Sequence, residues 1–187
     1  MKKWMTTIGL LLLCAGLCGQ ALSFYAEDLT FRLSPGLFEV DGYYYFRNTT
    51  DKPVRQTLLY PFPDEAAYGT ICCISIMQGS DSISFKRTLR GILFAVTAAA
   101  RQEVTCKIGY SQQLIADSAC YIITTTQRWK QPFEWAKYQL RMPDSLKLEM
   151  TSIIPDSTGH AAGEDIYFWR RIDFMPDRDF LFRYNER

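Results

Sequence analysis

From Phe38 to Phe46 the chain reads FEVDGYYYF, and its two parities differ in character. Phe38, Val40, Gly42, Tyr44 and Phe46 fall on one side; Glu39, Asp41, Tyr43, Tyr45 and then Arg47 fall on the other. A period of two is that of a strand that buries one face. The same alternation recurs in short segments near 54–60, 70–77, 82–88, 91–97, 102–110, 119–126, 134–142, 146–153, 165–172 and 179–184. No window of a dozen residues carries a helical period. Leu93–Gln102 comes nearest with its Ala98-Ala99-Ala100, but Val96 and Thr97 favour a strand. Short strands broken by frequent turns predict an all-β fold, an antiparallel β-sandwich of roughly ten strands.

The turns carry the rest of the architecture. Asp51-Lys52-Pro53 has turn chemistry, and Val54–Tyr60 is expected to return as the hairpin partner of Phe38–Phe46. Pro61-Phe62-Pro63 follows. Proline has no N–H for a ladder, so the pair ends the strand, and Phe62 is expected to plug the core at the corner where the chain leaves the sheet. Asn48-Thr49-Thr50 matches the N-glycosylation sequon in a sterically suitable turn.

The N-terminus points to export. Lys2 and Lys3 precede an apolar run from Ile8 to Leu17, and Ala21-Leu22-Ser23 has the small-residue spacing of a processing site, so a signal peptide is read over residues 1–23 and a single domain over 24–187. The apolar run is shorter than the roughly twenty residues of a spanning helix, so no stable membrane insertion is expected after processing. Cys14 and Cys18 each follow a leucine, where a lipidation box places a small residue. Losing Lys2 and Lys3 takes the 21 basic groups to 19, against 20 acidic. Such a balance provides no field for nucleic acid. The expected location is secreted or periplasmic, in a bacterium.

Four cysteines remain beyond residue 23: Cys72, Cys73, Cys106 and Cys120. An even number in an oxidising compartment suggests disulfides. A hairpin that sets Cys106 opposite Cys120 also sets Val104 against Ile122, with the apolar residues on one side, so a Cys106–Cys120 disulfide is expected. The competing arrangement joins one of Cys72 and Cys73 to each of them. As neighbours on a strand, Cys72 and Cys73 point to opposite faces and cannot share one ion.

Two resemblances rest on short motifs. The aromatic strand, the Asn48-Thr49 turn, Lys52-Pro53-Val54, Tyr60-Pro61-Phe62-Pro63 and Glu65-Ala66-Ala67 resemble the vault-protein/inter-alpha-trypsin (VIT) domain, although Pro61 precedes Phe62 and no leucine precedes Pro63. Tyr121–Thr126, Trp129, Pro132 and Asp173–Phe180 are similar to a family of bacterial secreted domains of unknown function. Both imply an exported β-sandwich, and neither supplies a catalytic set to carry over.

Chemistry-bearing motifs are sparse. The single histidine, His160, lies in the Gly- and Ser-rich stretch Asp156–Glu164, which reads as a solvated loop. There is no nucleophile elbow, phosphate loop or His-Glu-x-x-His, and Asp173, Asp177 and Asp179 lack a calcium-loop pattern. No catalytic residue, metal or cofactor is assigned. The least ordinary feature is the set of aromatics on the outward parity: Tyr43, Tyr45, Trp135, Tyr167 and Trp169. Clustered on a surface, such rings mark interfaces or sugar-stacking platforms; the segment 24–35 lying over them is the alternative. The leading expectation is a non-enzymatic module that binds a protein or glycan in the cell envelope through this face or a sheet edge. The alternative is a glycan-active enzyme or glycan-binding domain, using carboxylates such as Glu134, Glu149, Asp165 and Asp173.

Overall fold

The computed structural model describes residues 21–187. Its strands are β1 (Leu22–Ser34), β2 (Leu37–Asn48), β3 (Val54–Pro61), β4 (Thr70–Gln78), β5 (Asp81–Ser82), β6 (Phe85–Thr88) and β7 (Gly91–Ala98). After these come β8 (Glu103–Gln113), β9 (Ser118–Tyr121), β10 (Phe133–Pro143), β11 (Leu146–Thr151), β12 (Ser157–Ala161), β13 (Glu164–Phe174) and β14 (Phe180–Glu186). One helical turn, α1 (Glu65–Tyr68), and a 3-10 segment at Thr124–Trp129 complete the chain. An eight-stranded sheet in the order β12-β13-β10-β1-β2-β8-β4-β5 forms one layer. Two three-stranded sheets, β11-β14-β9 and β3-β7-β6, pack on its inner face around one core.

This is the expected all-β sandwich, with fourteen strands in place of ten and one parallel pair, β1 with β10, from Ala26↔Trp135 to Arg32↔Arg141. Two strands lie where none was expected, the edge strand β12 and, more consequentially, β1. Segment 24–35 is a central strand of the large sheet, not a cover over its outer face. A bulge between Phe24 and Ala26 breaks its alternation, so its period of two is hidden at the start. Beyond the bulge, Leu29, Phe31 and Leu33 face inward. Phe31 is fully buried between layers, with ring centroids 5.7 Å from Phe38, 5.1 Å from Tyr121 and 5.5 Å from both Phe180 and Phe182. Burying one such ring is worth about 1.5–3 kcal/mol. Gly42 occupies an inward position because a Cβ there would lie 2.2 Å from Leu29 Cδ2.

Several local expectations change. Val54–Tyr60 is not the hairpin partner of Phe38–Phe46: β2 pairs with β1 and β8, while β3 pairs with β7 from Val54↔Ala98 to Pro61↔Gly91. The 48–53 turn therefore carries the chain from the large sheet to a small one. Asn48 holds that crossing. Its amide donates to Lys52 O and Ala99 O at 2.8 Å each, and its Oδ1 accepts from Thr50 N at 2.9 Å and Thr50 Oγ1 at 2.8 Å. Only 1% exposed, Asn48 is a cross-layer staple rather than a sugar acceptor. The Pro61-Phe62-Pro63 corner behaves as expected: Pro61 ends the β3–β7 ladder, and Phe62 is buried with its ring 5.7 Å from Tyr60 and 5.0 Å from Tyr110.

The expected Cys106–Cys120 disulfide is absent, and all four described cysteines are free thiols. Strands β8 and β9 form no hairpin. Cys106 lies in the large sheet opposite Tyr44, and Cys120 pairs with Leu181 in a small sheet, because residues 114–117 cross between layers. Cys72 and Cys73 do not follow simple alternation either, since a bulge runs from Cys72 to Ser75 and Cys73 has φ 53°. His160 lies on β12, a fully exposed edge strand, where a loop was expected. Most of the predicted leader lies outside the described residues; Leu22 and Ser23 belong to β1, with Leu22 buried and paired with Asn48.

Candidate functional site

The outer face of the large sheet lies opposite both small sheets and gathers three of the five aromatics expected there. Tyr45 on β2 and Trp135 on β10 flank Ala26 of β1 in register, and their rings meet at 5.0 Å with planes 54° apart. The small Ala26 between them makes the contact possible. Tyr43 on β2 is 45% exposed. The β1 bulge turns Tyr25 toward the same face, 6.2 Å from Tyr45 at 49°. Arg47 binds the corner of this row. Its guanidinium sits 4.2 Å from the Tyr25 ring centroid and pairs with Glu103 at 2.8 Å and Glu134 at 2.6 Å, and Tyr25 Oη donates to Glu103 at 3.0 Å. Lys107 lies 5.6 Å from the Tyr43 ring centroid, and Lys137 lies 5.3 Å from that of Trp135.

Tyr167 and Trp169 do not join the row. The register Tyr138↔Trp169 and Leu140↔Tyr167 turns both toward the core. Trp169 is 2% exposed, donates Nε1–H to Ile153 O at 2.8 Å and packs 5.3 Å from Phe180. The run Tyr167-Phe168-Trp169 contains no polar residue to mark the outward parity, so parity had to come from pairing. The outward side chains of β13 are Phe168, Arg170 and Ile172, and Ile172 stands opposite Trp135. The four carboxylates of the enzymatic alternative are dispersed. Glu134 is held by Arg47, Glu149 accepts from Asn185 at 2.7 Å, Asp165 pairs with His160 at 3.0 Å and Arg187 at 2.5 Å, and Asp173 is exposed at the end of β13.

A second constellation lies inside the sandwich, where both small sheets meet the large one. Tyr44 Oη of β2 is 2.7 Å from Tyr60 Oη of β3 and 3.1 Å from Tyr121 Oη of β9, so one hydroxyl ties the three sheets together. Beside it, Glu27 of β1 is 2% exposed, and its Oε1 accepts from Tyr138 Oη at 2.6 Å. Burial pushes the Glu27 carboxyl up to about 8, a rise that the Tyr138 hydrogen bond only partly opposes. Burial likewise holds Tyr44, Tyr60, Tyr121 and Tyr138 well above the usual tyrosine range. A cavity of about 230 Å³ opens here, walled by Phe24, Tyr44, Tyr60, Tyr121 and Trp129, with Glu27 in its lining. Sequence reasoning missed Glu27, yet its signal was present: it shares the parity of Leu29, Phe31 and Leu33.

No family model and no curated protein sequence matches the chain. Solved structures do. A Legionella pneumophila protein provisionally named as nutrient-binding is similar at 13% identity, with a TM-score of 0.73 over 89% of this chain and 67% of its own. An M1 zinc metallopeptidase from Deinococcus radiodurans is similar at 12% identity and a TM-score of 0.54, over 88% of this chain and 43% of its own. The chain thus spans under half of that peptidase. At such identities the likeness establishes the shared fold. Among the described residues, no group of three His, Cys, Asp or Glu side chains is placed to share a metal ion.

Proposed function

We propose that this β-sandwich is an exported, non-enzymatic binding module of the bacterial envelope that engages a partner protein through the outer face of its large sheet. The carrying observation is the Tyr45–Trp135 ring pair, at 5.0 Å, with Tyr43, Phe168 and Ile172 exposed on the same side of the sheet. An apolar centre rimmed by ion pairs is the usual anatomy of a protein interface. A glycan fits less well. The rings are tilted by 49° and 54° and share no plane on which successive sugar rings stack, and Lys107 and Lys137 stand near two of them. Lys137 and Arg170 oppose each other across β10 and β13, and neither forms an ion pair among the described residues. The partner therefore presents carboxylates beside an apolar anchor.

The test places a photoreactive residue at Tyr43, at Ile172 and, as a control, at Leu89 on the far β6–β7 turn, in the natural envelope. One defined protein adduct should form at Tyr43 and Ile172, vanish in Trp135→Ser, and be missing at Leu89. Adducts that are equal at all three positions, or retention on purified envelope polysaccharide that Trp135→Ser abolishes, would overturn the reading.

A further inference from the structure

The interior cavity is separate from the outer face and has a chemistry that the proposed interface does not use. Glu27 is a buried carboxyl with no ion-pair partner among the described residues: its Oε1 is engaged by Tyr138, whose hydroxyl in turn feels Arg171. A buried carboxyl that only serves packing is normally paired or fully hydrogen-bonded. Here it instead lines an open volume. The walls are aromatic: Phe24 lies 6.1 Å from Tyr44, 5.0 Å from Phe46 and 5.8 Å from Trp129, and Tyr60 lies 5.5 Å from Tyr44. Faces of aromatic rings attract a desolvated cation, and a carboxylate among them completes its neutralisation.

We infer that this cavity is a binding site for a small organic cation, an ammonium group carried on a compact apolar body, seated among the rings with its charge toward Glu27. A volume of 230 Å³ holds a molecule of roughly ten non-hydrogen atoms. Of the cavity's lining residues, Thr57 on β3 and Arg128 on the 3-10 segment are exposed, and the cavity meets solvent between them. Arg128 is exposed at that rim, where solvent screens it, whereas Glu27 lies in the low-dielectric interior. The 3-10 segment is itself informative. Its start is fixed by Asp179 Oδ1, which accepts from Ile123 N, Thr124 N and Thr124 Oγ1 at 2.8–3.0 Å, so the wall that carries Trp129 is built from two distant parts of the chain.

Binding of a fixed cation and ionisation of Glu27 are then linked. The groups that face Glu27 are Tyr138 of β10, Tyr44 of β2, Tyr60 of β3 and Tyr121 of β9, each held well above the usual tyrosine range, with Arg171 of β13 acting on Tyr138 and Arg128 in the cavity lining. A quaternary ammonium ion, charged at every pH, should bind about tenfold tighter for each pH unit up to about 8, where Glu27 is ionised, and no tighter beyond. A neutral ligand that needs the protonated carboxyl would bind with constant affinity up to about 8 and more weakly beyond.

Calorimetric titrations of the full chain at pH 6, 7, 8 and 9 with tetramethylammonium, choline, butylammonium and the uncharged tert-butyl analogue of choline decide between these. The expected result is binding of at least one cation with the rising pH profile, little binding of the uncharged analogue, and a flattened profile with at least tenfold weaker cation binding in Glu27→Gln. The parent's own pH profile stands even if the variant folds poorly. Equal binding of the uncharged analogue, affinity that falls as pH rises, or no binding of any cation at millimolar concentration overturns the inference.

Discussion

Replacing Glu27 by Gln preserves its shape and its acceptor for the Tyr138 hydroxyl while removing the one group in the cavity that ionises near neutrality. In the folded chain the carboxyl keeps its proton to about 8, against an ordinary value of 4.5 once unfolded. Between those values the native state holds more protons than the unfolded state, so stability falls as pH rises. The full contribution is present below pH 4.5 and is gone above about 8. Each tenfold change in proton affinity is worth about 1.4 kcal/mol, so the loss across the window approaches about 5 kcal/mol, less whatever water in the cavity recovers. That is comparable to the whole stability of many domains. The window holds one other pair, His160 with Asp165 at 3.0 Å on the exposed β12 edge, and it is common to parent and variant. Asp156 and Asp165 are held below the usual carboxylate range by Arg171 and by His160 with Arg187, and act at lower pH, while the buried tyrosines act above it. Urea unfolding at half-unit steps from pH 5 to 9, without any organic cation, should show the parent weakening steadily and Glu27→Gln staying level. The variant should be the more stable protein at pH 9 by a few kcal/mol and within about 1 kcal/mol of the parent at pH 5. A parent that is level across the window, or a variant that declines in parallel with it, would refute the assignment of the pH dependence to Glu27.

Three further outcomes follow from the packing. Phe62→Ala should lower stability by about 3–5 kcal/mol, because it opens a cavity beside Tyr60 and Tyr110; a denaturation midpoint equal to the parent's would place the ring in solvent. In native protein a thiol reagent should modify exposed Cys73 first and reach Cys106 and Cys120, where burial pushes the thiols up to about 12 and 11, only on unfolding; non-reducing peptide mapping that recovered a Cys106–Cys120 link would contradict the layer assignment. A chain begun at Phe24 should melt several degrees below one begun at Leu22, since it loses a fully buried side chain that pairs with Asn48; identical melting curves would show that β1 needs no residue before Phe24.

The fold was legible wherever polar and apolar residues alternate cleanly, as from Phe38 to Phe46, because register on a half-buried sheet is dictated by which parity is apolar. Where that signal is silent, the reading failed. Tyr167-Phe168-Trp169 is aromatic on both parities, so only pairing with β10 reveals that Trp169 is core and Phe168 is surface. Partner choice was not legible at all. Asn48–Pro53 has the chemistry of a hairpin turn yet bridges layers, and the difference is the Asn48 amide, which reaches carbonyls some fifty residues away. The same blindness to long-range pairing produced the mistaken Cys106–Cys120 hairpin.

The two candidate sites were visible to different degrees for related reasons. Tyr43, Tyr45 and Trp135 could be placed outward from alternation alone, since each has inward neighbours of clear apolar character. Tyr25 could not, because its orientation depends on a bulge that moves one residue out of phase. Tyr44, Tyr60 and Tyr121 read individually as core aromatics; only the meeting of three sheets turns their hydroxyls into a network beside Glu27. An acid on an inward parity is the trace such a site leaves in a sequence, for the fold tolerates it only at a cost of several kcal/mol unless something compensates it. In Glu27-Asp28-Leu29-Thr30-Phe31, the acid at 28 faces solvent and the acid at 27 does not. That single-residue contrast on β1 separates a solvated carboxylate from a buried, protonated carboxyl in the cavity lining.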